Sequence, residues 1–229
     1  MRRAATGWRV ALAAAAVLGL AGCGAQARRP AASTYTVRAG DTLYSIAWRH
    51  GLDYHEVAKA NGIGGDFRIH VGQVLKLDSR LAPARAGVAA ATVPPAAAAV
   101  ALPVTPAPHW QWPAEGTSGA TVKQPAGGLG LEILGAAGAE VRAAAAGRVV
   151  YTGAGLRGYG ELVILKHDEA WLTAYGYNRD VIVREGEAVR AGQRLATMGE
   201  GPSRRPSLYF EIRLNGRPVD PAGQLPPRR

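Results

Sequence analysis

One cysteine, Cys23, stands in a chain of 229 residues, and a single thiol cannot close a disulfide within the chain. Histidine is also scarce: His50, His55, His70, His109 and His167 are the five. They are scattered along the chain rather than clustered like ligands, so surface or core histidines are the default and no metal is expected. Long hydrophobic runs are missing too. The run Val10 to Leu20 is well short of the ~20 residues a membrane-spanning helix needs. The C-terminal half carries no long helical period, which argues against a helical domain there. Acids are outnumbered, 17 against 27 lysines and arginines, for a formal net charge of +10. A basic balance can favour an anionic partner, but these charges form no basic helix, and an arginine-rich composition accounts for them.

The N-terminus decides the compartment. Arg2, Arg3 and Arg9 make a basic segment ahead of the apolar run, as in an export signal. The run ends in Leu20-Ala21-Gly22-Cys23, which resembles the lipobox of bacterial lipoproteins. The resemblance implies a signal peptide over 1–22, diacylation of Cys23 and a lipidated tether over 23–33. Each buried methylene of an acyl chain contributes ~0.8 kcal/mol, so several chains hold firmly. Gly24, rather than aspartate, after the cysteine implies outer-membrane sorting with the protein facing the periplasm. Nucleic acid is excluded as a partner of an exported protein of this kind.

Residues 34–78 read as a small β-α-α-β unit. Tyr35 to Val37 forms a short strand, and Asp41 or Thr42 caps a helix carrying Leu43, Ile46 and Ala47 on one face. A second helix spans Asp53 to Asn61, Gly62 stops it, and Gln73 to Leu77 alternates as a closing strand. The run Tyr-x-Val-x-x-Gly-Asp-Thr-Leu-x-x-Ile-Ala, then Asn61 and Val71-Gly72-Gln73-x-Leu75, resembles a LysM domain over its whole length. The resemblance implies binding of peptidoglycan glycan strands at N-acetylglucosamine. Carried onto this chain, the groove walls are Gly40, Asp41, Thr42 and Leu43, facing Asn61, Gly62, Ile63, Ile69 and His70. Leu43 has plain core packing as its alternative, and Asp41 a helix cap.

Residues 79–109 are mostly Ala, Pro and Val and read as a disordered linker that lets two domains move independently. From Trp110 onward the sequence is dense in short strands and glycine turns, with Glu185-Gly186 and Asn215-Gly216 as hairpin signals. Residues 110–229 are therefore expected to form a mainly antiparallel β domain, and the whole chain is multidomain. Leu208, Phe210 and Ile212 fall on one face of a strand, and Ser207, Tyr209 and Glu211 on the other.

Gly147-Arg148-Val149-Val150-Tyr151, Leu162 to His167, Val189-Arg190-Ala191-Gly192-Gln193 and Phe210-Glu211-Ile212-Arg213 resemble a LytM domain, the duplicated-hybrid-motif fold of lysostaphin-like zinc endopeptidases. Gly155-Leu156-Arg157-Gly158-Tyr159-Gly160 and Leu195-Ala196-Thr197-Met198-Gly199 look most like the NlpD-like murein hydrolase activators of that family. Active members carry His-x-Gly-x-Asp, a histidine after Tyr-Ala, and His-x-His-Phe-Glu. Here the same places hold Gly128 to Glu132, Tyr175-Gly176-Tyr177 and Ser207-Leu208-Tyr209. Catalytic zinc needs about three His, Asp, Glu or Cys ligands, and Glu132 alone cannot supply them. The expectation is a degenerate domain with no catalytic residues, no metal and no cofactor. Gly128, Glu132, Tyr175, Tyr177, Ser207, Tyr209 and Glu211 then line a groove for a protein partner.

The resemblance implies a non-enzymatic outer-membrane lipoprotein that binds peptidoglycan and activates a periplasmic N-acetylmuramoyl-L-alanine amidase for septal splitting. A wall-binding tether without enzyme activation, and a divergent endopeptidase, are the two alternatives.

Overall fold

A computed structural model describes residues 33–78, 106–124 and 127–228. Cys23, Gly24, the signal peptide and residues 79–105 of the linker lie outside the described residues. Among those described, no helix is long and apolar enough to cross a membrane.

The N-terminal unit runs β1 (Ser33–Thr36), α1 (Leu43–His50), α2 (Tyr54–Ala60), β2 (Val74–Leu77). Thr42, not Asp41, caps α1. Its hydroxyl accepts from Ser45 N at 3.1 Å while Ser45 Oγ accepts from Thr42 N at 3.0 Å, so both open amides are satisfied reciprocally. Gly51 ends α1 at φ 64°, the left-handed conformation that glycine adopts without strain. Asp53 caps α2 through its Oδ1, which accepts from His55 N and Glu56 N. β1 and β2 pair antiparallel, Tyr35 opposite Leu75.

The second unit contains β3 (Thr117–Lys123), β4 (Leu129–Leu134), β5 (Glu140–Arg142), β6 (Gly147–Gly153), β7 (Glu161–Lys166), β8 (Trp171–Val181), β9 (Ala188–Val189), β10 (Arg194–Met198), β11 (Ser207–Leu214) and β12 (Arg217–Val219). Every pairing is antiparallel, in the order β3-β4-β11-β8-β7-β6-β9, with β10 bridging β5 and β8, and β12 on β11. Asn215 and Gly216 take φ 48° and 73° between β11 and β12, a primed turn that matches strand twist. The other expected hairpin differs. Glu185-Gly186 is a turn, but β9 after it pairs with β6 rather than with β8 before it.

The sheet buries both faces. Leu208, Phe210 and Ile212 of β11 pack into an apolar core with Val163, Leu165, Tyr175, Leu195 and Trp171. The opposite face is covered by the N-terminal unit. Trp48, Leu52 and Tyr54 join Val150, Leu156, Tyr159, Leu162, Ile164 and Tyr209 in one continuous cluster. The two halves are packed together, contrary to the independent domains expected from the linker. The contacting surface is apolar and extensive, and burying it outweighs the freedom a flexible connection offers.

Candidate functional site

β11 presents Ser207, Tyr209, Glu211 and Arg213 on the face turned toward the N-terminal unit, because strand side chains alternate. β4 lies beside it with Glu132 opposite Tyr209 in register. Gly128 sits just ahead of β4, where a Cβ would come within 2.5 Å of Glu211 Oε2 and 3.0 Å of the Tyr209 hydroxyl. A side chain at Gly130 would run into the Tyr209 ring. Gly201 closes the other side, its backbone lying against Ser207 Oγ, Glu132 and Tyr177. Gly128, Glu132, Tyr177, Ser207 and Tyr209, far apart in sequence, therefore converge.

Tyr177 reaches this face by a backbone irregularity. Along β8, Leu172 and Ala174 face the N-terminal unit while Trp171 and Tyr175 face the apolar core. Simple alternation would keep Tyr177 with Tyr175. Instead Tyr177 takes φ 62°, a left-handed conformation costly for a bulky residue, and its ring turns to stand 5.8 Å from that of Tyr209. Its hydroxyl accepts from Gln124 Nε2 at 2.8 Å. Tyr175 does not belong to the site. Its hydroxyl accepts from Ala144 N on the opposite face, so its assignment to the groove is corrected.

The floor is a buried charge network. The Tyr209 hydroxyl donates to Glu211 Oε2 at 2.6 Å, and Arg213 Nε donates to Glu211 Oε1 at 2.6 Å. Burial, reinforced by the Glu211 charge, pushes the Tyr209 hydroxyl well above the ordinary tyrosine range, so it stays protonated and donating. Tyr159 is shifted the same way for the same reasons. Ser207 Oγ and Arg213 Nη2 are buried without a hydrogen-bond partner.

The sequence places Tyr177 and Tyr209 along an open groove. The structure shows a covered one: Tyr177 is 5% exposed and Tyr209, Glu211 and Ser207 are 0% exposed. The cover is α1. The Trp48 ring stacks 3.6 Å from the Arg213 guanidinium carbon, and its indole N–H donates to the Tyr159 hydroxyl at 3.2 Å. Arg213 Nη1 donates to the Trp48 carbonyl at 3.3 Å. Farther along, the Tyr54 hydroxyl donates to the Glu169 carbonyl, and His55 Nε2 meets the Glu169 carboxylate at 2.9 Å. Gly216 fits flush against Asp53, whose Cα a Cβ would approach to 2.9 Å.

The expected glycan-binding residues divide. Gly40, Gly62 and His70 are exposed, and Ile63 and Ile69 are half-buried. Leu43 is 1% exposed and belongs to the core, the alternative its sequence position left open. Thr42 is committed to the cap. The Asp41 carboxylate accepts from the Tyr35 hydroxyl at 2.8 Å and Arg38 N at 2.9 Å and pairs with Arg49 at 3.2 Å. Asn61 holds β2 to α2, donating to the Val57 and Lys76 carbonyls and accepting from Lys76 N.

Comparison with known proteins matches a LysM domain to residues 35–78 and Peptidase family M23 to residues 127–221. The Lipoprotein NlpD/LppB homolog of Pseudomonas aeruginosa is 42% identical, covering 85% of this chain and 77% of the relative. The chain belongs to the NlpD/LppB family. The lipoprotein YgeR of Escherichia coli is 38% identical, with 86% and 82% covered. The Murein hydrolase activator NlpD of Escherichia coli is 34% identical, with 86% and 68% covered.

Against the M23 fold, the residues of this NlpD/LppB member do not fit a catalytic zinc. Gly128 offers no donor, and its side-chain space is filled by Glu211 and the hydroxyls of Tyr159 and Tyr209. Glu211 is already bound by Tyr209 and Arg213, and Tyr209 is held as a neutral phenol. Among the described residues, no group of three or more His, Cys, Asp or Glu is arranged to hold a metal ion. His167, at the end of the neighbouring strand, donates through Nδ1 to the Ala146 carbonyl at 2.7 Å, and burial lowers its pKa.

Trp48, Tyr159, Arg213 and Gln124 escaped the sequence reading. One signal was available. Trp48 lies off the helical face marked by Leu43 and Ile46, and a large aromatic off the core face calls for a second surface to bury it.

Proposed function

We propose that this protein is a non-catalytic, outer-membrane lipoprotein anchored through Cys23. Its LysM domain holds peptidoglycan, and its M23 domain activates a periplasmic N-acetylmuramoyl-L-alanine amidase for septal splitting. One observation carries the reading most directly. The positions where an M23 peptidase keeps its metal and catalytic histidines converge here as Gly128, Glu132, Tyr177, Ser207 and Tyr209, a set without the donors for zinc chemistry. Ser207 Oγ and Arg213 Nη2 remain as unpaired buried groups on that face, which a docking protein segment would satisfy. The names of the relatives, lipoproteins and murein hydrolase activators among them, support the same role.

Because α1 covers the Arg213 and Tyr159 end of this face, a partner reaches that end only when the LysM domain lifts away. An activator of this kind must bind the open amidase more tightly than the closed one, since equal affinity shifts nothing. Dye release from labelled peptidoglycan, with the purified soluble protein and a cognate amidase separately and together, tests the reading. No release is expected from this protein alone, and more from the pair than from the amidase alone. Release by this protein alone would mean a hydrolase, and no stimulation of the amidase would leave the wall tether. Tyr177→Ala is expected to weaken stimulation while sparing binding to peptidoglycan.

A further inference from the structure

The loop Gly155 to Gly160 has a structural duty at nearly every side chain or carbonyl that contacts a neighbour. The Gly155 carbonyl accepts from Arg49 Nη2 of α1 at 3.4 Å. Leu156 is buried, Tyr159 receives the Trp48 indole, and Gly160 packs at φ 60° against Tyr177. Arg157 is the exception: exposed, and without an ion pair or hydrogen bond among the described residues. It lines a cleft of about 580 Å³ at the junction of the two halves.

Across that cleft stand Tyr35, Arg38, Asp41, Arg49 and His50 of the LysM unit. Asp41 is the one acid among the lining residues, and Arg49 and Tyr35 already engage it. His50 is held toward its neutral form by burial and by the charge of Arg49. Arg38, whose guanidinium lies 5.8 Å from the Tyr35 ring, has no acidic partner among the described residues. Docking therefore gathers three guanidinium groups against one carboxylate. Such a like-charged cleft works against the apolar packing that closes it, and an entering anion would relieve that repulsion.

We propose that this cleft is an anion subsite that takes a carboxylate of a peptidoglycan peptide stem, bridged by Arg38 from the LysM unit and Arg157 from the M23 unit. The inference rests on the peptidoglycan-binding reading above and extends it. Ala39 and Asp41 line the cleft and flank Gly40 of the expected glycan groove. A glycan strand held at that turn carries its stem peptides, with free carboxylates, beside the arginines. Guanidinium groups pair with carboxylates through two parallel hydrogen bonds, which gives this contact selectivity for the stem over the neutral sugar. The substrate of an amidase retains the stem and its product does not, so the cleft would favour uncleaved wall.

The test measures binding of the soluble full chain (Cys23→Ala, signal removed) to glycan strands bearing tetrapeptide stems and to the same strands stripped of stems. Stem-bearing strands are expected to bind roughly tenfold more tightly at low salt. Arg38→Gln and Arg157→Gln should each erase that preference and leave the affinity for stripped strands unchanged. Stems whose carboxylates are converted to amides should behave as stripped strands. Gly216→Asn keeps the left-handed turn but sets a side chain against Asp53. It should reduce the preference with both arginines present, because the two halves no longer close. Equal binding of both strands, or arginine variants that weaken both alike, would overturn the subsite while leaving the LysM reading intact. Loss of stripped-strand binding with stem dependence retained would sink the LysM reading and keep the subsite.

Discussion

The two faces of the M23 sheet share strands yet are built by different chemistry. On one face β11 contributes Leu208, Phe210 and Ile212 to an apolar core. On the other, residues one step along the same strand form the Tyr209–Glu211–Arg213 network beneath Trp48. The first face is held by area removed from water. The second must satisfy buried charges, so its stability depends on partners staying in place. The apolar face therefore specifies the fold, whereas the polar face depends on a neighbouring domain to keep it from water.

Breaking the apolar face should cost most. Phe210→Ala leaves a cavity beside Tyr175, whose ring lies 5.4 Å away, and about 3–5 kcal/mol should be lost in denaturant unfolding. A loss below ~1.5 kcal/mol would show that this face is not the tight core described.

On the polar face, Arg213→Ala strands the Glu211 carboxylate in a buried site and should cost about 3 kcal/mol or more. The double variant Arg213→Met with Glu211→Leu is expected to recover most of that stability. If the double variant is as unstable as the single one, the network does more than satisfy its own charges.

Trp48→Ala removes the side chain that joins the two faces' owners. The protein should then show two separable melting transitions by calorimetry, and faster amide exchange around Tyr159. If the proposed amidase activation holds, stimulation should rise, since the Arg213 and Tyr159 end of the face becomes accessible. Unchanged exchange at Tyr159 would mean α1 is not the cover. Thr42→Ala, by contrast, should cost ~1 kcal/mol within the LysM unit alone.

The smallest effect is a pH dependence of docking. His55 lies between Asp53 Oδ1 and Glu169 Oε2, beside the Tyr54 and Phe67 rings. Hydrogen bonding to Asp53 first, and to Glu169 as well, raises its pKa against the opposing effect of burial. Lys166 and then His55 hold Glu169 below the usual carboxylate range. The His55 contribution is complete below the ordinary imidazole value and is lost as pH rises through the raised one. That of Glu169 is present above the ordinary carboxylate value and is lost as pH falls through the lowered one. Docking should thus be tightest at about pH 5–6.5 and loosen modestly toward pH 8, as amide exchange at the interface can measure. His55→Gln should flatten the profile.

Much of this was legible before any coordinates. The β-α-α-β order, the Asn215-Gly216 hairpin and the alternation of β11 followed from local patterns, because capping, turn dihedrals and strand periodicity act over a few residues. The scarcity of histidine, with His167 alone inside residues 127–221, is equally plain. Other features were hidden. Tyr175 and Tyr177 sit two apart, a spacing that puts both on one face, but the φ of Tyr177 reverses it. β3 and β4 carry little strand signal of their own, since Thr117 to Leu134 holds four glycines that weaken it. Their pairing partners lie elsewhere in the chain.

By itself the sequence determined the two domains, their family and the scarcity of histidine in the M23 half, for these are set by residue identity and short-range periodicity. Only the tertiary structure decided what covers that half. Whether Arg213 faces water or Trp48 depends on how two apolar surfaces from opposite ends of a long linker meet. That is a matter of shape and buried area across more than a hundred residues, and no local pattern records it.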